Sequence, residues 1–307
     1  MPNRFHFLVN RIAGRGRAGR VWERVRARLE EQARLNPNLI YTFSPAGEPF
    51  PFDHLDPETV LVAVGGDGSV HHAAPLAIRH GLTLGVIPAG TGNDFSAALG
   101  IPADPVRAVD VLLNGTSTPV DIAQVGERWF INAGGFGLDA DIAHFVETHP
   151  WVKRRGTLGY AVAFPVTIAH HRPYTVRVTL DGQSHQFEKV TLLIVALSPR
   201  LAGGMKIAPE ASQFDGIFDI CVAHGFTKPG LLKAFPTIYR GTHIHLPGVF
   251  MGRAKHIRLD FENGVYRGQF DGERVSGEGP VEMVCRSDVL RVCLPGRPPV
   301  TDPERTP

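Results

Sequence analysis

Apolar runs alternate with amphipathic stretches along the first 120 residues. Phe5–Val9 is a short apolar run, too short for a signal peptide and predicted as a first strand. A Gly/Arg loop over 13–19 follows, and then Val21, Trp22, Val25 and Leu29 recur at helical spacing. Leu39–Phe43 reads as a second strand. Thr59–Val64 is a continuous β-branched run, the pattern of a strand buried on both faces. A glycine turn leads into a helical segment over Val70–His80, Thr83–Ile87 is a further buried strand, and Pro88–Asp94 is a second glycine turn. This strand–turn–helix rhythm predicts an α/β domain with a parallel, doubly wound sheet, whose ligands bind beyond the carboxyl ends of the strands.

The rhythm changes near residue 120. Short β-type runs follow at Trp129–Asn132, Tyr174–Leu180, Lys189–Ser198, Phe218–Ala223, Lys255–Phe261, Gln269–Asp271, Val281–Val284 and Leu290–Leu294. Asp-Gly and Asn-Gly pairs separate several of them, and helix-like interruptions fall at 141–170 and 227–239. The expectation is a mostly antiparallel β-sandwich domain over 123–295, its last strand returning to a first domain over 1–122. A Pro-rich, disordered tail is expected over 296–307, and the chain's 307 residues suit two domains.

Composition narrows the function. A net charge of +2 does not call for a nucleic-acid partner. Residues 11–34 nevertheless hold Arg11, Arg15, Arg17, Arg20, Arg24, Arg26, Arg28 and Arg34 against three glutamates, a local basic stretch that reads as a solvated helix face, a phosphate site or a lipid-headgroup contact. Lys153-Arg154-Arg155 beside Trp151 is a second candidate for surface attachment. No stretch reaches the ~18 apolar residues of a membrane span. Three cysteines without metal-type spacing read as reduced core residues of a cytoplasmic protein. The histidine pairs His71-His72, His170-His171 and His243/His245 lack carboxylate or cysteine company at ligand spacing and are read as structural.

Two segments carry chemistry. Gly65-Gly66-Asp67-Gly68-Ser69 joins a buried strand to a helix, where glycines allow close approach and the helix N-terminus offers N–H groups to an anion. An aspartate there would repel phosphate unless a divalent cation lay between, so Asp67 points to Mg²⁺. A bare turn capped by Ser69 reads equally well, and the segment is neither a Walker loop nor a dinucleotide fingerprint. Pro88-Ala89-Gly90-Thr91-Gly92-Asn93-Asp94-Phe95 repeats the arrangement one strand later and aims more polar groups at the same crevice.

These two blocks resemble the catalytic domain of the diacylglycerol kinase and sphingosine kinase superfamily, and most closely its bacterial, single-chain lipid kinases. The resemblance continues through Asn10–Gly19, Asp121, Phe130–Ala140, Ala208–Asp219 and Phe270-Asp271-Gly272-Glu273. It implies an ATP- and Mg²⁺-dependent kinase with its nucleotide in the inter-domain cleft, acting at a membrane surface on a lipid hydroxyl, foremost that of diacylglycerol. By resemblance Gly65, Gly66, Asp67, Gly68, Ser69, Val70 and His71 surround the ATP phosphates, joined by Thr42 at the end of the second strand and by Gly90, Thr91, Asn93 and Asp94. Glu273 matches the general base, with Asp271 its neighbouring candidate and Asp67 the third catalytic carboxylate. Asp215, with carbonyls of Ser212 and Ile217, matches a structural Mg²⁺ site. A homodimer is compatible with this reading.

Some positions depart from the pattern. Arg11 stands where proline is usual, Ser69 replaces threonine, His71 replaces a polar amide residue, and Gly134-Gly135 stands where a Ser-Gly-like pair is more common. Two rivals stay open: a kinase of a soluble substrate, as in NAD kinases, and a nucleotide-binding regulator without catalysis. The 130–140 segment and Asp271-Gly272-Glu273 favour the lipid branch.

Overall fold

The computed structural model describes residues 3–47, 52–149, 152, 157–201 and 204–296. Four parallel strands, β1 (Arg4–Val9), β2 (Ile40–Pro45), β3 (Val60–Gly65) and β4 (Thr83–Pro88), lie in the order β4-β3-β1-β2. All six β3 residues are buried because helices cover both faces. Phe7 faces Trp22 of α1 (Arg17–Leu35), ring centroids 5.3 Å apart. Its neighbour His6 turns the other way toward Phe52, which meets His80 at the end of α2 (Asp67–His80). Successive strand residues point to opposite faces, so α1 and α2 lie on opposite sides of the sheet. The chain leaves β1 and β3 in opposite directions, which opens a crevice at their carboxyl ends.

Short α3 (Asp94–Ala98) and α4 (Pro105–Asn114) complete this part, α4 starting on an Asp104 cap that accepts from Val106 N and Arg107 N. The arginines read as a basic stretch are partly consumed here. Arg24 pairs with Asp104, Arg26 with Glu23 and Glu30, and Arg28 with Glu31 and Asp110.

The second part comprises β5 (Thr116–Val125), β6 (Arg128–Phe130), β7 (Ala133–Gly137), α5 (Leu138–Thr148), α6 (Thr157–His170), β8 (Tyr174–Leu180), β9 (Gln183–Ala196), β10 (Phe218–His224), α7 (Lys228–Arg240), β11 (Val249–Ala254), β12 (His256–Phe261), β13 (Val265–Phe270), β14 (Glu273–Glu278) and β15 (Val281–Leu294). Its strands pair antiparallel and enclose a sandwich-like core built on Phe136, Val178, Leu193, Phe218, Ile220 and Leu259. Over the expected helical interruption at 141–170, the described residues include α5, which starts three residues earlier at Leu138, and α6.

Val281–Val284 and Leu290–Leu294, expected as two strands, form one. The polar interval Arg286–Asp288 is a register irregularity in β15, not a turn. β15 pairs with β12 over Val281–Val284 and runs parallel to β4 at Arg291 and Val292, while β5 pairs with it from Val284 to Leu294 on either side of the irregularity. The two halves therefore share one hydrogen-bonded sheet path. Cys221, Cys285 and Cys293 are buried thiols that burial pushes up, to about 12, 12 and 11. No helix among the described residues is long and apolar enough to cross a membrane. Trp151, Lys153-Arg154-Arg155 and residues 297–307 of the expected tail lie outside the described residues.

Candidate active site

β3 ends at Gly65 and α2 begins at Asp67, so the turn between them is very tight. A methyl on Gly65 would sit 2.0 Å from Ser69 Oγ, and one on Gly90 would sit 2.4 Å from the Cα of Gly66. The two glycine turns therefore lie backbone against backbone, joined by a 2.7 Å hydrogen bond from Ala89 N to Gly65 O. α2 starts without a side-chain cap. Its first N–H groups and the positive end of its dipole are left for an anion in the crevice.

Asp67 Oδ1 accepts from Phe95 N at 3.1 Å. A methyl on Gly92 would lie 2.9 Å from Asp67 Oδ2 and 3.4 Å from Asp94 Oδ2, so the two carboxylates flank that glycine at the crevice. Hard oxygen donors of this kind fit Mg²⁺ between protein and phosphate. Asn93, left-handed at φ 58°, spends its amide on the turn, accepting from Gly90 N and donating to Gly90 O. Ser69 accepts from Asn10 Nδ2 at 3.2 Å, which ties the opening loop to the site. Val70 is buried in the core, and Thr91 is exposed at the crevice. Thr42 stands elsewhere than the sequence suggested. β2 continues to Pro45, which leaves Thr42 in mid-strand with its hydroxyl on His6 Nδ1 at 2.8 Å.

Asp271-Gly272 is a two-residue hairpin turn, both residues left-handed (φ 50° and 91°), between Phe270 and Glu273. Asp271 is also a hub. Its carboxylate, 1% exposed, accepts from Ile131 N (2.7 Å), Asn132 N (2.8 Å), Ala133 N (3.1 Å) and His71 Nδ1 (2.9 Å). Four donors occupy its oxygens, which leaves little capacity for a substrate proton. Glu273 is 54% exposed, and its oxygens lie 3.4 Å from His71 Nε2 and 3.5 Å from His72 Nε2. Of the two carboxylates, Glu273 is the one open to solvent and not saturated by backbone donors. At His71 burial pulls the imidazole down, but the Asp271 hydrogen bond and the charges of Asp271 and Glu273 outweigh it, and the net direction is upward.

Two further residues lie at this turn that the sequence reading did not single out. Gln269 Nε2 donates to Asp139 Oδ2 at 2.6 Å while its carbonyl oxygen accepts from Gly272 N. Burial pushes Asp139 up, which the Gln269 bond opposes. A methyl on Gly135 would lie 1.7 Å from Asp139 Oδ2. The unusual Gly134-Gly135 pair was the one available signal for this arrangement.

From this polar rim a cavity of about 350 Å³ runs into the second part of the molecule. Asp67, Thr91, Asp94 and Asp271 line one end. Asn132, Asp139 and Gln269 also line it, and beyond these polar groups the wall is apolar, between β9 and the helices α5, α6 and α7, with Leu138, Ile142, Ile194 and Met205. Phe164 and Phe235 also line it, their rings stacked 3.9 Å apart.

Asp215 lies apart from this cavity. One carboxylate oxygen holds Arg253 Nη2 and the other accepts from Ile217 N at 3.3 Å, while Ser212 Oγ accepts from Phe214 N at 3.2 Å. A guanidinium thus already faces the carboxylate to which the resemblance assigns a cation. Asp121, 1% exposed, anchors the same loop by accepting from Gly216 N at 2.8 Å.

Residues 4–125 match the family described as the diacylglycerol kinase catalytic domain, and residues 133–294 the YegS C-terminal NAD kinase beta sandwich-like domain. The chain is 32% identical over 229 residues to a diacylglycerol kinase of Bacillus subtilis, covering 71% of this chain and 74% of that protein. To a diacylglycerol kinase of Mycobacterium tuberculosis it is 31% identical over 206 residues, 65% of this chain and 66% of the relative's length. The crystal structure of a diacylglycerol kinase from Bacillus anthracis shares the fold, with a TM-score of 0.67 at 21% identity over 95% of this chain and 97% of that one. A glycine crevice, a carboxylate hairpin and both domain matches converge on one assignment: the chain belongs to the bacterial diacylglycerol kinase-like lipid kinase family.

Proposed function

We propose that this protein transfers the γ-phosphate of ATP, with Mg²⁺, to a lipid hydroxyl, with diacylglycerol as acceptor and phosphatidic acid as product. The observation that carries the reading is the cavity, whose polar end holds Asp67, Asp94 and Asp271 and whose apolar length suits acyl chains. Backbone N–H groups at Gly65–Gly68 and the N-terminus of α2 would cradle the donor phosphates. Asp67, with Asp94 beside it, would hold Mg²⁺, which supplies charge neutralisation at the phosphates. Glu273 would orient the hydroxyl and take its proton late, as in-line transfer to a loosely bonded phosphoryl group requires. The enzyme would meet its substrate at a membrane surface from the cytoplasm.

Apolar lining disfavours a soluble acceptor, because a dinucleotide would leave its polar groups unpaired against Ile142, Ile194 and Phe235. Incubation with γ-labelled ATP and a panel of diacylglycerol, ceramide, sphingosine and NAD tests the proposal. Label in diacylglycerol is the expected result; label in NAD and in no lipid would overturn it.

A further inference from the structure

We propose that His71 is the proton-holding partner of Glu273: fixed by Asp271 through Nδ1, it receives on Nε2 the proton that Glu273 takes from the lipid hydroxyl. This rests on the kinase reading above and assigns a positioning role for that reaction.

The tautomer follows from hydrogen-bond counting. Asp271 already accepts from three backbone N–H groups, so it is an acceptor toward His71 as well, and Nδ1 at 2.9 Å must carry hydrogen. In the neutral ring Nε2 is then the basic nitrogen, and it faces Glu273 Oε2 at 3.4 Å. The ring is 13% exposed, so water competes weakly for that nitrogen. The contact joins α2, which carries the donor-phosphate turn, to the hairpin that carries the base. It spans 200 positions in sequence.

The step balances. The lipid O–H bond breaks as the new O–P bond forms at the γ-phosphorus, and the bridging O–P electron pair leaves with ADP. The proton goes to Glu273 and then to His71 Nε2, where the imidazolium that forms is held by Asp271. Glu273 is thereby returned as a carboxylate, and the imidazolium gives its proton to solvent at the ring's exposed edge before the next turnover.

The charged groups that bear on His71 are Asp271 and Glu273 from the hairpin, His72 beside it with ring centroids 5.9 Å apart, and Asp67 one turn earlier on α2. The two hairpin carboxylates favour the imidazolium, so the ring becomes a free acceptor only as pH rises. Turnover should therefore climb along an acidic limb set by this cluster.

The test measures kcat and KM for transfer from ATP to diacylglycerol in detergent micelles between about pH 5.5 and 9 for wild type, H71N, H71Q and E273Q. An amide can keep the Asp271 bond but cannot take a proton. Expected for both amide variants are a KM for ATP within about two-fold of wild type, a kcat lower by roughly 10–100-fold, and an acidic limb displaced to lower pH. An unchanged kcat overturns the relay. So does a lower kcat with an unmoved limb, which is the signature of a merely structural role. If E273Q is inactive and H71N is normal, the relay falls while the kinase reading stands. If wild type labels no lipid at all, the kinase reading itself falls. Should the amide variants fail to fold, ¹⁵N imidazole spectra of the wild type decide: an Nδ1-protonated neutral ring is expected, and the Nε2-protonated tautomer would overturn the proposal.

Discussion

Replacing Asp271 by alanine removes an acceptor on which three backbone N–H groups and one imidazole converge inside the protein. Each buried donor left without a partner costs about 1–3 kcal/mol. Three N–H groups at the lower half of that range, with some water entry, give a loss of about 3–6 kcal/mol. That is a large share of the ~5–15 kcal/mol that holds an ordinary protein folded. At about 2–4 °C per kcal/mol, the midpoint should fall by roughly 6–24 °C. Asp271→Asn should cost less, about 1–3 kcal/mol, because the amide oxygen can still serve two of the three backbone donors. Thermal melts checked by urea unfolding read both numbers. A D271A midpoint within about 2 °C of wild type would show that the hub carries no stability. The carboxylate would then be spare, and the base role would reopen for Asp271.

Asp67→Ala and Glu273→Ala should each abolish phosphate transfer with little change in thermal midpoint; near-normal activity in E273A would return the base role to Asp271. Gly90→Ala should destabilise the protein or displace the crevice, because its methyl would meet the Gly66 Cα at 2.4 Å, and a fully active, equally stable G90A would refute that packing. Asp219, 4% exposed, is pushed up to about 6 by burial and by Asp215 and Glu210, against the pull of Arg253. A carboxyl whose folded value is raised favours folding in its protonated form, so its contribution is full below the unfolded value near 4 and is lost as pH rises through about 6. Asp219→Asn should thus gain up to about 2 kcal/mol at pH 8 and almost nothing at pH 4, read by urea unfolding at both values; equal effects at the two pH values would contradict the assignment.

Both glycine turns and the parallel α/β part were legible because their signals are local: a β-branched run, a glycine turn and a helix within a few residues. Asp271-Gly272 was equally legible as a hairpin, and the structure shows one aspartate serving as turn residue and hub at once. The hub itself was hidden, since its donors lie at 131–133 and 71 and no periodicity links positions so far apart. Thr42 was misplaced because β2 is an exposed edge strand without an apolar run to mark its end. β15 was split in two because the polar residues Arg286–Asp288 imitate a turn, whereas β5 continues to accompany the strand across the irregularity. The apolar cavity depends on α5, α6 and α7 closing over β9, an arrangement fixed by tertiary packing among segments that are each unremarkable in sequence.

In the proposed reaction one cavity brings the phosphate donor to its polar rim and the lipid's acyl chains to its apolar length. Ala143 of α5 lines that length, and Ala143→Phe would fill part of it while leaving Asp67, Thr91 and Asp271 at the polar end in place. Each methylene kept out of an apolar site forfeits about 0.8 kcal/mol, so displacing a few of them should cost ten-fold or more. The decisive measurement is kcat/KM for long-chain against short-chain diacylglycerol in wild type and A143F. A fall of roughly ten-fold or more for the long chain is expected, with the short chain and the KM for ATP within about two-fold. Unchanged long-chain turnover in a folded A143F would contradict it.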